Sequence, residues 1–270
     1  MSPGPSLVLD DAALQPRVVN ASSVLMTEVA DAEASLVLTG PPYFSASTQA
    51  LLSSDQTPGG NPGAVDEECT VQDIVRFAWS LRPVFEEAWR VLRPGGWAIL
   101  QTRDVRMGAR LVPVEAVHRS MLESAGFHLY TRYFWRPAFT TLARRRLLAG
   151  LTRKFAPLPF DPEVFLVFRK PGPARAGEPS GSECDLLRRD SLSTQSGRQP
   201  RRHPHHSPIP VMRALIAAYS MPGDLVIDPF AGAGTVLRLA RALGRRAVGY
   251  EIDPDAIAAI NANLAESTSP

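Results

Sequence analysis

The sequence predicts an α/β fold: a mainly parallel, seven-stranded sheet with helices on both faces. Three observations predict it. Short apolar runs alternate with amphipathic stretches from end to end; two of those runs close on turns rich in Gly or Pro; and 270 residues suit one α/β domain with a modest insertion.

The elements follow in chain order. Val18-Val19-Asn20 reads as a strand end, Ser22 to Ala30 as a helix, and Ser35 to Thr39 (SLVLT) as a buried strand. The loop after it, from Phe44 to about Cys69, is rich in Gly, Pro, Ser and Asp. Its length is unusual for a compact domain and suits a lid over a substrate. Thr70 is placed to cap a long helix reaching Leu92, because Ile74, Phe77, Leu81, Phe85 and Trp89 recur at helical spacing. Arg93-Pro94-Gly95-Gly96 ends that helix. Trp97 to Leu100 is the next strand, and Val114 to Ala125 a helix closed by Gly126. Phe127 to Trp135 and Val164 to Phe168 are strands on either side of a basic insertion, about 136–162. Residues 171–207 are rich in Pro, Gly, Ser and Arg with little apolar periodicity, which predicts a flexible linker. Helix resumes near Pro210. Strand Leu225 to Asp228, helix Thr235 to Leu243, strand Ala247 to Glu251 and helix Asp255 to Ala265 complete the series of seven strands.

Composition excludes some classes. The two cysteines, Cys69 and Cys184, stand too far apart in the sequence for a zinc pattern or a disulfide framework. No apolar run approaches the length of a membrane span, and the N-terminus lacks a basic region followed by a long apolar stretch, so a soluble, cytoplasmic protein is expected. His203, His205 and His206 have no acid or Cys nearby, and no metal site is expected.

The first chemical signal is VIDPFAGAGT, 226–235. A buried strand ends at Asp228. Gly232 and Gly234 let the backbone turn tightly before a helix begins near Thr235, which presents main-chain N–H groups and a helix N-terminus to a ligand. Glu251 ends the following strand, 19 residues beyond Gly232, where a carboxylate can bind both ribose hydroxyls of a nucleoside cofactor. Asp228 suits a positive ammonium or sulfonium group. The Asp-Pro-Phe start (Asp228, Pro229, Phe230, then Ala231) and the missing third Gly favour S-adenosylmethionine (SAM) over a dinucleotide.

The second signal is SLVLTGPPYF, 35–44. A buried strand delivers Thr39, Gly40, Pro41, Pro42 and Tyr43 to the carboxyl edge of the sheet, where ligands bind. The two prolines fix the backbone and remove two donors, leaving carbonyls that only accept. An exocyclic amine on a base is a poor nucleophile, because its lone pair is delocalised into the ring. Acceptors that grip its hydrogens free that pair for a sulfonium methyl, which is help by orientation and electrostatics. An aromatic ring beside the loop can stack on a base drawn out of a duplex.

These motifs resemble those of the β-class SAM-dependent DNA amino-methyltransferases, especially the N4-cytosine type with a Thr-Ser-Pro-Pro-Tyr loop, related to the N6-adenine type. In that class the catalytic loop precedes the SAM loop, as here. VLRPGGWAIL (91–100), ESAGFHLYTRYFW (123–135) and EVFLVFRK (163–170) carry the likeness through nearly the whole chain apart from the linker. The resemblance implies a Rossmann-like, circularly permuted methyltransferase sheet whose last two strands pair as a hairpin. It divides one domain into a catalytic half at 1–170, the linker at 171–207 and a SAM-binding half at 208–270. It implies that Asn20 faces the SAM adenine, and that HPHHSPIPVMRALI (203–216), with His203 and Ser207, helps enclose the cofactor, which leaves as S-adenosylhomocysteine. This chain departs from the family in two places. Gly40 stands where the family has Ser, Asp or Asn. Ser207 and His205 stand where the family motif has Lys and Thr.

From Thr131 to Lys170 there are nine Lys or Arg residues against two acids. Arg132, Arg136, Arg144, Arg145, Arg146, Arg153 and Lys154 are the candidates for neutralising phosphates or reading guanine edges of double-stranded DNA. The expected activity is methylation of cytosine N4. Adenine N6 is the nearest alternative, and a weak or inactive nucleic-acid-binding subunit of a modification or defence system the next. An RNA or protein acceptor fits the loop but not the motif order. A cognate restriction endonuclease or defence subunit is the expected protein partner, and the chain is expected as a monomer or homodimer, away from membranes.

Overall fold

A computed structural model describes residues 11–42, 70–107, 110–135, 163–178 and 209–266. A seven-stranded sheet lies at its centre. In chain order its strands are β1 (Arg17–Asn20), β2 (Ala34–Thr39), β3 (Leu92–Thr102), β6 (His128–Trp135), β7 (Glu163–Arg169), β8 (Leu225–Asp228) and β9 (Arg246–Glu251). Two short strands, β4 (Val105–Met107) and β5 (Arg110–Val112), make a separate hairpin. Across the sheet the order is β1-β9-β8-β2-β3-β7-β6. The first five pair in parallel, while β3–β7 and β7–β6 are antiparallel. Each of the seven predicted strands is in this sheet, and β6 and β7 pair as expected.

The central strand β2 is buried at every position, as its unbroken apolar run predicts for a strand covered on both faces. Its alternate residues feed two cores. Leu36 and Leu38 join Leu215, Leu237 and Ile260 from helices α4 (Ile209–Tyr219), α5 (Thr235–Ala242) and α6 (Pro254–Glu266). Val37 faces the other way, toward Phe85 and Met121 from α2 (Arg82–Val91) and α3 (Val114–Ser124). Helices therefore cover both faces of the sheet.

Three local expectations are corrected. The long helix predicted from Thr70 to Leu92 is two helices, α1 (Val71–Ser80) and α2, broken at Leu81. Pro83 has no N–H to give the carbonyl four residues back, so the first helix cannot run through it. Ser22–Ala30 forms turns, not a helix. Its backbone is held by α2 instead: the Met26 N–H donates to the Glu87 carboxylate at 2.8 Å, and Arg90 donates to the carbonyls of Met26 at 2.9 Å and Val29 at 3.1 Å. Finally, Arg93–Gly96 does not separate helix from strand. It is already part of β3, because the Gly95 N–H donates to the Lys170 carbonyl at 3.0 Å and the Lys170 N–H to the Gly96 carbonyl at 2.9 Å.

The predicted loop at 44–69, the insertion at 136–162 and residues 179–207 of the linker lie outside the described residues. The first eight residues of the linker segment are anchored. Arg175 grips Asp224 with two hydrogen bonds, at 2.8 and 2.6 Å, and Glu178 pairs with Arg93. Among the described residues, no helix is long and apolar enough to cross a membrane.

Candidate active site

The site grows from two adjacent parallel strands. β2 and β8 pair through Leu36–Val226 and Val37–Ile227, so both end at the same edge of the sheet. There the Thr39 hydroxyl donates to Asp228 Oδ1 at 2.7 Å, across 189 residues of sequence. The Phe230 N–H donates to the same oxygen at 3.1 Å. Asp228 is only 4 % exposed. Burial pushes its carboxyl up to about 6, the neighbouring Glu251 charge adds to the rise, and the bonds from Thr39 and Phe230 pull the other way. The residue thus links the proline loop to the glycine turn.

In that turn Gly232 and Gly234 both take positive φ, +51° and +69°. Their side chains are missing for different reasons. A Cβ on Gly234 would strike Ile260 of α6 at 2.8 Å, so this glycine seats the last helix. A Cβ on Gly232 would meet nothing nearer than the Phe230 carbonyl at 3.8 Å, so this glycine borders open space. Glu251 stands across from it. One of its oxygens accepts the Gly232 N–H at 2.8 Å, and the other accepts Ile252 N–H at 2.9 Å and Asp253 N–H at 3.0 Å. Asn20 ends the neighbouring strand directly opposite Glu251. Ala231 is buried under the turn, its N–H donating to the Tyr250 carbonyl at 2.9 Å, and Thr235 opens α5. Pro229 and Phe230 form the first part of the turn.

Of the proline loop, Thr39, Gly40, Pro41 and Pro42 are described, while Tyr43 lies outside the described residues. Pro41 and Pro42 line a small cavity together with Ile74 and Phe77 of α1, Gln101 and His118. His118 bonds the Thr102 hydroxyl through Nδ1 at 2.9 Å, and burial pulls its pKa down to about 4, which keeps it neutral. Gln101 donates through Nε2 to Glu163 on β7, whose carboxyl burial pushes up against the opposing pull of Gln101 and Arg103. Sequence reasoning missed Gln101, His118 and Glu163. The available signal was the polar Gln101-Thr102 end of an otherwise apolar strand, beside the proline loop in a parallel sheet.

His203 and Ser207 lie outside the described residues, as do Arg136, Arg144, Arg145, Arg146, Arg153 and Lys154. Arg132 is on the edge strand β6, where it lies 3.6 Å from the Glu115 carboxylate and over the Phe134 ring at 5.9 Å. Among the described residues there is no cluster of His, Cys, Asp or Glu that would hold a metal.

The chain is 27 % identical over 262 residues to the Type II methyltransferase M.MthZI of Methanothermobacter thermautotrophicus, covering 88 % of this chain and 73 % of the relative. It is 29 % identical over 260 residues to the Type II methyltransferase M.MjaI of Methanocaldococcus jannaschii, covering 84 % of each. Among solved structures it is similar to the Thermus thermophilus protein TTHA0409 complexed with S-adenosyl-L-methionine, with a TM-score of 0.67, 24 % identity and coverage of 93 % and 95 % of the two chains. The DNA methylase family model matches residues 34–262, a span that opens at β2 and takes in both strand-end turns. The protein whose Thr39 and Asp228 meet at that sheet edge therefore belongs to the DNA methylase family of N6 and N4 methyltransferases.

Proposed function

We propose that this chain methylates an exocyclic amino group of a DNA base, most favourably cytosine N4, with SAM as donor. The observation that carries the reading is the Thr39–Asp228 bond, which makes the acceptor loop and the donor turn parts of one sheet edge. The donor turn fits SAM. Gly232 borders open space, Glu251 and Asn20 stand together at its rim for the ribose and adenine, and the buried Asp228 is close enough to the turn to favour a positive charge. Bound SAM supplies an electrophilic methyl carbon on a positively charged sulfur. The chain's own residues orient the acceptor. Pro41 and Pro42 offer no N–H, so this stretch of the loop presents an amine with main-chain acceptors and no main-chain donors. The amine nitrogen bonds the methyl carbon as the carbon–sulfur bond breaks, the electron pair stays on sulfur, and one amine proton passes to water. Cytosine N4 is favoured by the likeness of Thr39–Tyr43 to the Thr-Ser-Pro-Pro-Tyr loop. Arg132 and the basic residues of 136–162 are proposed to hold the DNA phosphates, with His203 and Ser207 closing over the cofactor.

The test is direct. Purified protein is incubated with SAM and unmethylated genomic DNA, and the DNA is digested to nucleosides for mass spectrometry. N4-methylcytosine is the expected product. N6-methyladenine moves the assignment to the other base, and the absence of any N-methylated nucleoside overturns the reading.

A further inference from the structure

The parallel register that sets Thr39 beside Leu100 brings Gly40 opposite Gln101 at the ends of β2 and β3. Gly40 offers the proline loop no side-chain acceptor, and a polar side chain from the neighbouring strand occupies the adjoining space. A Cβ built on residue 40 would lie 3.6 Å from Gln101 Oε1 and 3.7 Å from Gln101 Cβ, both ordinary contact distances. The amide oxygen therefore lies beside the volume that a short polar side chain at position 40 would enter.

Its orientation is determined by its other end. Gln101 Nε2 donates to the Glu163 carboxylate, which leaves the amide oxygen on the side of the loop. Gln101 is 4 % exposed and lines the cavity walled by Pro41 and Pro42. Its Oε1 is buried with no hydrogen-bond partner among the described residues. A buried acceptor left unpaired is costly, and this one borders the cavity that Pro41 and Pro42 also line, so a donor entering there would satisfy it.

We propose that Gln101 Oε1 is the acceptor that grips an N–H of the target amine, supplying from β3 the oxygen that position 40 lacks. The inference rests on the reading of the protein as a DNA amino-methyltransferase. Gln101 holds the hydrogen and draws electron density toward the nitrogen. It is not the base, since an amide oxygen is too weak to keep the proton.

The experiment compares the wild-type chain with Gln101→Met, which keeps the volume and removes the acceptor, and with the double variant Gln101→Met/Gly40→Ser. Methyl transfer to DNA is measured at saturating SAM, with SAM affinity and Tm as controls for folding. Gln101→Met should lower kcat at least tenfold with SAM affinity unchanged, the order expected for loss of one oriented hydrogen bond at a reacting atom. The serine at position 40 should restore most of that loss, which a purely structural role for Gln101 would not produce. Gln101→Asn, which keeps an amide but withdraws its oxygen, should lower kcat in the same way. Wild-type kcat in Gln101→Met overturns the inference, as does a loss that Gly40→Ser leaves unchanged. A wild-type chain that methylates no base overturns the functional reading itself, and the two failures are distinct.

Discussion

Asp228, buried at the sheet edge, weakens the fold as its carboxyl ionises. Its carboxyl holds a proton up to about pH 6 in the folded chain, above the 3.8 of a free side chain. Between those values the folded state binds more protons than the unfolded one, so this group's contribution to stability falls as pH rises, by about 2–3 kcal/mol once it is fully ionised. Asp228→Asn removes that penalty and still offers Thr39 and Phe230 an acceptor oxygen. Melts of the ligand-free proteins should show the variant's Tm rising relative to wild type from about pH 4 to 6 and remaining higher at pH 8. If Asp228 meets the positive end of the donor, as proposed, isothermal titration should show SAM affinity falling at least tenfold in the same variant. A Tm difference that does not change with pH would show that the buried carboxyl titrates as an exposed one.

At the scale of elements, the capping box of α1 joins the fold to the site. The Thr70 hydroxyl accepts the Asp73 N–H at 3.2 Å, while the Asp73 carboxylate accepts the Thr70 N–H at 2.9 Å. The first buried residues after this cap, Ile74 and Phe77, wall the cavity beside Pro41 and Pro42. Thr70→Ala should cost about 1 kcal/mol and lower Tm by roughly 2–4 °C, with faster hydrogen exchange confined to the first turn of α1. The threonine cap was legible in the sequence, as were the seven strands and both strand-end turns, because each is encoded by neighbouring residues: an apolar run, a glycine pair, a proline pair. The unread features depend on distant partners. Ser22–Ala30 has a helical look, but Glu87 and Arg90 take its backbone groups. Arg93–Gly96 resembles a stop signal, but Gly95 and Gly96 pair with Lys170, just past β7. Gln101 is marked locally only as the polar end of an apolar run, and its place beside the proline loop is set by the register of β3 on β2. The break at Leu81 was legible in principle, since Pro83 interrupts the helical pattern, but the apolar periodicity on either side of it hides the interruption.

For the whole molecule, two buried groups, Asp228 and His118, pull the pH profile in opposite directions. His118 stays neutral down to about pH 4 in the fold, whereas an unfolded histidine takes its proton near 6.5. Between those values the unfolded chain binds more protons, so this contribution to stability rises with pH, opposite in sign to that of Asp228. His118→Gln should therefore lose Tm relative to wild type as pH rises from about 4.5 to 6.5, while Asp228→Asn gains it, and the double variant should track wild type more closely than either single change. Thermal melts across that range decide it. The strand order has a separate consequence for how the chain comes into being. β1 pairs with β9, and one side of β2 pairs with β8, so two strands from the first forty residues wait for partners that begin beyond residue 220. Until the last helices and strands leave the ribosome, β2, a strand buried at every position in the folded sheet, carries a bare edge. A nascent chain stalled before that point would present a template for pairing with other chains, which makes this protein's yield sensitive to chaperone supply during synthesis.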